Sequence, residues 1–366
     1  MAERTRRWRR TGMTAAGLLV LVAWLASTRI ASPRSSVSLT GSTMGTTYSI
    51  KLAELPHGLS PAAVRDEVER VLRDINGKMS AFDAQSEISR WNAASAGVWQ
   101  PISADTATVL REALAVCERS GGALDVTVGP LVRLWHFGPG EGHDAGELPA
   151  VPDEDAIQAA RERVDWRCIE LRGQPPAVRR GIEGGAVDLA AVAKGYGVDR
   201  VAERLEALGI ENYLVEIGGE IRAKGRRPDG SPWAVAVEAP RLDARQTQAV
   251  LRLDGGSLAT SGDYRNYFER DGRRFSHLID PRTGRPIEHR LASVSVLHPS
   301  CMTADAWATA LMILGPEEAW ATAQREGLEV LLIERKDAGF ECRMTPGFAA
   351  RMVSVAGDAL LRRASR

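Results

Sequence analysis

A histidine, a tight turn and two oxygen-bearing side chains are the residues of this chain best suited to chemistry. His277 lies three residues before Asp280, which opens an Asp-Pro-Arg-Thr-Gly turn. About one strand later, Asp305 and Thr309 follow four residues apart, a spacing that puts two oxygen atoms on one face of a helix. Such oxygens are ligands of hard cations. The spacing therefore predicts a polar ligand with a cation such as magnesium beside it.

The same residues also have structural interpretations that involve no ligand. A histidine such as His277 is often buried with one satisfied hydrogen bond, although the adjacent turn favours a site position. Asp305 is suited to cap a helix, and a threonine inside a helix often bonds its own backbone. Asp125, in a glycine-bounded loop, is suited to cap a turn. The residue types alone leave both interpretations open.

An acid and a lysine, Asp188 and Lys194, flank a run of small residues. Small side chains let a ligand approach the backbone, and Lys194 is placed to meet an anion. The alternative is a tightly packed strand-to-helix junction with a surface ion pair. The G-x-x-x-x-G-K-[ST] nucleotide motif is absent from the sequence, so the Lys-Gly pair alone indicates no particular ligand.

Composition excludes several classes of protein. The 366 residues include 47 basic and 47 acidic side chains, so the formal net charge is zero and nucleic acid is a poor partner. The four cysteines are far apart with no C-x-x-C, which argues against a zinc site. The proportions, 44% hydrophobic and 26% charged, are those of a globular protein.

The N-terminus indicates export. Residues 4–10 are a basic run, and residues 13–26 are uncharged and mostly apolar, the order of a secretory signal or signal anchor. The apolar stretch of ~14 residues is shorter than the ~20 that span a bilayer. Residues 1–31 are thus predicted as an uncleaved anchor in a bacterial inner membrane or as a cleaved signal peptide. Either form places the body in the periplasm.

The remaining chain divides into a polar linker (32–39), one large body (40–345) and a C-terminal tail (346–366) of unknown role. Strands in hairpin-like clusters between helices predict an α+β fold with largely antiparallel sheets. Helices are expected over 61–75, 104–118, 153–164, 199–208, 303–314 and 316–326. Strands are expected over 46–52, 213–217, 233–238, 246–253, 257–260, 275–279, 291–297 and 329–333.

Eight motifs, in this order, resemble those of one family. They are TMGTT (43–47); MSAFD (79–83) with SEISRWN (86–92); GALD (122–125) with LW (134–135); DLAAVAKGYGVD (188–199); GGE (218–220); TSGDY (260–264); SHLIDPRTG (276–284); and ADAWAT (304–309). Over roughly residues 40–335 the chain resembles the ApbE-type FAD:protein FMN transferases. The order and number of the motifs make the resemblance specific.

The resemblance implies an activity. Family members split the pyrophosphate of FAD and pass FMN to a threonine or serine hydroxyl of a target protein, forming a phosphoester and releasing AMP. It implies magnesium as cofactor, FAD as substrate, and as partner an exported acceptor such as a subunit of a respiratory redox complex. Two alternatives stay open: an FAD pyrophosphatase with water as the acceptor, and a non-catalytic flavin-binding protein.

The resemblance also assigns roles to residues. His277 is the best candidate for the base that takes the proton of the acceptor hydroxyl, since its reference pKa near ~6.5 suits general base work, with Asp280 next in line. Phe82 stands where many relatives carry tyrosine, so it keeps a stacking ring without the hydroxyl. The implied magnesium ligands are the side chains of Asp305 and Thr309 and the carbonyl of Ala191. The implied FAD contacts are Met44, Phe82, Ala123, Leu124, Asp125, Asp188, Lys194 and the backbone near Ile279.

Overall fold

Alternating buried and exposed side chains mark several strands of the fold, whose structure is a computed structural model. It describes residues 36–138, 149–241, 246–264, 266–337 and 339–355, and residues 360–363 through the backbone alone. The predicted anchor or signal at 1–31 lies outside the described residues. Within the described ranges, no helix combines the length and apolarity that a membrane crossing requires.

The described strands are numbered in chain order. They are β1 (Val37–Thr43), β2 (Thr46–Leu52), β3 (Gln100–Pro101), β4 (Ile169–Arg172), β5 (Ala177–Arg180), β6 (Tyr213–Ile217), β7 (Glu220–Lys224), β8 (Trp233–Glu238), β9 (Thr247–Leu253), β10 (Gly256–Gly262), β11 (Tyr267–Arg270), β12 (Arg273–Ser276), β13 (Ile279–Asp280), β14 (Arg285–Pro286), β15 (Leu291–His298), β16 (Glu329–Lys336), β17 (Gly339–Met344), β18 (Met352–Val355) and β19 (Leu360–Arg363).

The described helices are numbered in the same way. They are α1 (Pro61–Met79), α2 (Glu87–Ala93), α3 (Ala104–Arg119), α4 (Gly129–Leu134), α5 (Glu154–Arg161), α6 (Ala190–Ala207), α7 (Cys301–Leu314), α8 (Pro316–Glu326) and α9 (Pro346–Ala350), with one 3-10 turn at Trp166–Cys168.

A nine-stranded sheet carries the fold, in the order β1-β2-β6-β7-β10-β15-β16-β17-β19. Every neighbouring pair is antiparallel except β17 and β19, which run parallel. The smaller sheets are β18-β9-β8, β3-β5-β4, β11-β12 and β13-β14. Helix α7 packs against α6 and against strands β10 and β15. The predicted α+β class with largely antiparallel sheets is confirmed.

Local signals fixed many element boundaries. Ser60, Ser103 and Asp153 accept hydrogen bonds from the amides three residues on, and so cap α1, α3 and α5. Strands β2, β6 and β8 and helix α8 have the predicted bounds. Each combines a regular apolar period with a turn residue at its end, so local sequence was enough to place it.

Other boundaries differ from the prediction because tertiary packing decided them. Helix α1 continues past Asn76-Gly77 to Met79, since Ile75 and Met79 extend its buried stripe. Helix α6 begins at Ala190 rather than Asp199, because its small residues pack against α7. The strand predicted over 275–279 is broken into β12 and β13 around His277 and Leu278.

The predicted segment boundaries also differ from the fold. Strand β1 begins at Val37, so the last residues of the linker predicted over 32–39 belong to the sheet. In the predicted tail, β18 pairs with β9 and β19 pairs with β17. Strands β18 and β19 of the predicted tail therefore belong to the sheets of the body.

Candidate functional site

Helices α6 and α7 approach each other closely at Gly195. A Cβ atom at this position would lie 2.3 Å from the carbonyl oxygen of Cys301 and 2.8 Å from the Cβ of Asp305. The Gly195 amide donates to Oδ2 of Asp305 at 2.9 Å. In a regular helix that amide serves the carbonyl four residues earlier, which belongs to Ala191. The missing side chain thus lets a carboxylate of one helix reach the backbone of the other.

A lysine between two buried carboxylates forms the polar centre of the site. The ammonium of Lys194 lies 3.0 Å from Oε1 of Glu220 and 3.5 Å from Oδ1 of Asp305. The carboxylate side chains are 4% and 3% exposed, against 29% for the lysine. Burial is the largest effect on all three groups.

The protonation of this cluster follows from its burial and charges. Burial raises the pKa of Glu220 to about 8, against the opposing pull of Lys194, and it also raises the pKa of Asp305. The two carboxylates together raise the pKa of Lys194 despite its own burial, so the lysine stays charged. Once both carboxylates are ionised, they outweigh the one ammonium and leave an excess negative charge, which suits a cation.

Glu220 is the site residue that residue-by-residue reasoning from the sequence missed. One of its oxygens faces Lys194, and the other, Oε2, is buried without a hydrogen-bond partner. The available signal was the turn before it: Gly218 and Gly219 have φ angles of 60° and 107°, which favour glycine, and an acid follows directly. That pattern shows a tight turn without showing what the acid contacts.

The predicted cation ligands surround the same point. Asp305, Thr309 and Ala191 all line one cavity together with Lys194. The hydroxyl of Thr309 lies 3.1 Å from the hydroxyl of Ser261 on β10. No cluster of three or more His, Cys, Asp or Glu side chains in the described ranges is arranged to hold a metal ion. A cation here would therefore depend on the Thr309 hydroxyl and the Ala191 carbonyl as well as on Asp305.

His277 lies in the break between β12 and β13, and it also lines the cavity. Its Nδ1 is 2.9 Å from the carbonyl oxygen of Asn266. Because a carbonyl only accepts, Nδ1 carries the proton and the neutral ring keeps its lone pair on Nε2. Burial is the main cause that lowers its pKa below the ordinary 6.5, and the charge of Lys194 adds to it. The ring is therefore neutral at pH 7.

Asp280 is held by the turn that it opens. Its carboxylate accepts from the Arg282 backbone at 2.9 Å and pairs with the guanidinium at 2.9 Å. Its carbonyl accepts from the amides of Thr283 and Gly284. The side chain is thus already engaged in the turn, which makes it a weaker base candidate than His277.

The cavity has a volume of about 650 Å³, with a polar end and apolar walls. Leu124, Val128 and Ile279 contribute to the apolar part, and Phe82 stands at the opening with 72% of its surface exposed. All but two of the predicted site residues line this cavity: Phe82, Leu124, Asp125, Asp188, Ala191, Lys194, His277, Ile279, Asp305 and Thr309.

The exceptions are Met44 and Ala123. Ala123 is fully buried in the core, next to its cavity-lining neighbour Leu124. Met44 has a φ of 49°, and its methyl end would lie 3.1 Å from a Cβ at Gly197 on α6. Both residues therefore support elements that line the cavity instead of forming its wall.

Two further aspartates each stabilise local backbone structure and also line the cavity. Asp125 accepts from the amide and hydroxyl of Thr127 at 2.7 and 2.6 Å and from the amide of Trp166, as expected for a turn cap. Asp188 accepts from the amide of Ala190 at the start of α6. Both carboxylates line the cavity, and burial raises the pKa of each.

We expect Gly195→Ala to lower the free energy of unfolding by about 3 kcal/mol, because its Cβ meets backbone that cannot move without separating α6 from α7. The matched control is Gly197→Ala in the same helix, whose Cβ meets only the side-chain ends of Met44 and Ile217 and no backbone. Urea unfolding of both variants measures the difference. Equal stabilities would contradict the close approach at Gly195.

Comparisons with known proteins agree with this arrangement. The sequence model described as the ApbE family matches residues 44–332. The chain belongs to the ApbE family. An FAD:protein FMN transferase of Vibrio cholerae serotype O1 is 45% identical over 309 residues, which are 84% of this chain and 90% of the relative. One from Haemophilus influenzae is 44% identical over 318 residues, 85% and 90% of the two chains.

The fold is that of solved ApbE proteins. The structure of the flavin transferase ApbE from Vibrio cholerae superposes with a TM-score of 0.79 at 42% identity, covering 87% of this chain and 99% of that one. The resemblance expected from the motifs is thereby confirmed, and residues 44–332 contain every residue of the cavity described above.

Proposed function

We propose that this protein is an FAD:protein FMN transferase, an enzyme that moves FMN from FAD to a hydroxyl of another protein. The observation that carries the proposal is the joining of a lysine–dicarboxylate cluster to an apolar-walled cavity in an ApbE-family chain. The apolar walls suit a flavin ring, and the cluster suits a pyrophosphate with a cation. The two relatives compared above are named FAD:protein FMN transferases.

The reaction breaks one bond of the FAD pyrophosphate and forms one phosphoester bond. The acceptor hydroxyl oxygen bonds to the phosphorus of the FMN half, and the bond from that phosphorus to the bridging oxygen breaks. AMP leaves with the bridging oxygen, and the proton of the hydroxyl is lost to a base. Such a transfer depends mainly on holding the groups in line and on neutralising charge.

The residues of the cluster fit magnesium as the cation. Asp305, Thr309 and the carbonyl of Ala191 would hold it, and bound magnesium would supply charge neutralisation at the pyrophosphate. With both carboxylates ionised, a divalent cation changes the formal charge of Lys194, Glu220 and Asp305 from minus one to plus one. The site then attracts a pyrophosphate that it would otherwise repel, with Lys194 as the protein's own positive charge beside it.

His277 is the base in this proposal. Its Nε2 is unprotonated and its Nδ1 is anchored to Asn266, so the ring can accept the proton of the acceptor hydroxyl. The neutral ring is the active form and its pKa is lowered. With magnesium saturating at every pH, we therefore expect protonation of His277 to lower the transfer rate only below pH 6.5.

Replacing this base gives a separate prediction. His277→Gln should lower the rate at saturating FAD by about 100-fold or more and remove the acid limb of the pH profile. His57→Gln, at an exposed histidine outside the cavity, is the control and should change neither. A His277 variant with the unaltered profile would show that another group takes the proton.

We further propose that the body acts in the periplasm of a bacterium, held to the inner membrane by residues 1–31 or released from them. The support is the basic-then-apolar order of that segment. The acceptor would then be an exported redox protein, such as a subunit of a respiratory complex. Fractionation of cells tests this: a full-length species in the membrane pellet indicates an anchor, and a shortened soluble species indicates a cleaved signal.

The activity is tested by incubating the protein with FAD, magnesium and an exported protein that bears a candidate threonine. Flavin fluorescence on the acceptor after denaturing electrophoresis supports transfer, and a chelator should abolish it. Free FMN and AMP with an unlabelled acceptor would indicate a pyrophosphatase instead. Unchanged FAD would indicate a binding protein.

A further inference from the structure

Beside the cavity, strand β8 has an edge that, at Ala234 and Ala236, pairs with no other strand of the described residues. It is the outer strand of the sheet β18-β9-β8, and within the described part of the chain it pairs only with β9. Its last three residues, Ala236, Val237 and Glu238, line the same cavity as Lys194 and His277. Among the described residues, the open edge at Ala234 and Ala236 therefore leads toward the candidate active site.

The pairing shows which backbone groups face outward. The amide of Ala239, just after β8, donates to the carbonyl of Gln246 at 2.8 Å and so points toward β9. The backbone N–H and C=O groups of successive residues point alternately to the two sides of a strand. The register shift between β8 and β9 skips Gln248, a residue of β9, so the alternation along β8 is uninterrupted. The amides and carbonyls of Ala234 and Ala236 therefore point away from β9.

The middle of this edge, at Ala234 and Ala236, carries none of the features that usually protect an edge strand. Proteins place charged side chains, prolines or bulges at such positions. Ala234 and Ala236 are instead exposed, small and uncharged. Pro232 and Pro240 stand only at the two ends, where they limit the length over which another strand can pair.

We propose that an extended segment of the acceptor protein adds to β8 as a further strand, which brings its threonine or serine hydroxyl into the cavity. The proposal rests on the proposed transfer of FMN to a protein. Main-chain hydrogen bonds to Ala234 and Ala236 supply affinity that depends little on the acceptor's sequence. The strand's path past residues 236–238 then sets which side chain enters the cavity.

The pairing is tested with peptides. A pooled library of short peptides, each with one central threonine, is incubated with the protein, FAD and magnesium, and phosphoester-linked FMN is detected by mass spectrometry. The best acceptor is then remade with N-methyl groups on either of its two alternating sets of amides. We expect one set to lower transfer by about 10- to 100-fold and the other to leave it unchanged, because only one edge of the peptide pairs.

A protein variant gives the complementary test. Ala234→Pro removes an outward amide without touching the bonds to β9, and it should raise the KM for the peptide about tenfold with FAD binding unchanged. Val353→Pro, at an exposed residue on the opposite edge of the same sheet, is the control. Its KM should equal that of the wild type.

The outcomes separate the two proposals. If neither set of N-methyl groups changes transfer, the added strand alone is contradicted. The same holds if the enzyme flavinylates a whole protein but no peptide of the library. A protein that splits no FAD with any peptide or protein would contradict the proposed function, and the added strand with it.

Discussion

Asp305→Asn should lower the rate of FMN transfer by about 1000-fold while the protein stays folded. The substitution keeps the size of a buried side chain and removes the charge that would hold the cation, an effect of several kcal/mol on the transition state. The amide nitrogen would also face the ammonium of Lys194, which lies 3.5 Å from the carboxylate. The measurement is the transfer rate at saturating FAD over a range of magnesium concentrations.

Asp199→Asn is the matched control for this variant. Asp199 is also a buried carboxylate, and it joins α6 to the start of α7 by accepting from Ser300 and from the amides of Cys301 and Met302. It does not line the cavity. Its substitution should lower the free energy of unfolding and leave the rate per folded molecule unchanged. Equal rate losses in both variants would contradict a specific role for Asp305.

Lys194→Met should lower both stability and transfer. It leaves Glu220 and Asp305 buried without their counter-charge, at a cost of about 3 kcal/mol in the free energy of unfolding. The loss should be greatest above pH 8, where both carboxylates are charged. It should diminish as the pH falls, because the folded protein then takes up protons that the unfolded chain, with ordinary carboxylate pKa values, does not yet bind.

A second substitution distinguishes the two effects of Lys194. Lys194→Met combined with Glu220→Gln should recover much of the stability at pH 8, since one buried charge is removed, and should recover no transfer. The control is Lys224→Met, whose ion pair with Glu206 is well exposed and should matter little. Urea unfolding at pH 6 and pH 8 gives the comparison. A pH-independent stability loss would contradict the charge argument.

The sequence predicted the elements that depend on local signals. Helix α8 begins at Pro316 and ends before Gly327, and both residues act through their own backbone preferences. The strand β6 needs only its apolar residues and the glycine turn after it. The shared helix face of Asp305 and Thr309 was predictable for the same reason, because helical spacing alone places them together.

The missed features depend on contacts between distant parts of the chain. The start of α6 at Ala190 is set by packing against α7, and small residues show no helical stripe by themselves. Glu220 meets Lys194 only because β7 and α6 come together. The role of Gly195 likewise depends on Cys301, more than a hundred residues away. Local sequence patterns cannot report such distances.

The family resemblance supplied what spacing could not, with two limits. It named Ala191, whose carbonyl has no sequence signature, and the cavity lining includes that residue. It also named Met44 and Ala123, which in this chain lie behind the cavity wall.

The central claim is that the phosphorus of the FMN half of FAD becomes bonded to a hydroxyl oxygen of another protein. The most direct test is to quantify AMP and to map flavin on the acceptor by mass spectrometry in one reaction with FAD and magnesium. We predict one AMP for each FMN, with the FMN esterified to a threonine or serine and lost when that residue is changed to alanine. Equal amounts of AMP and free FMN, with the acceptor left unmodified, would contradict the claim.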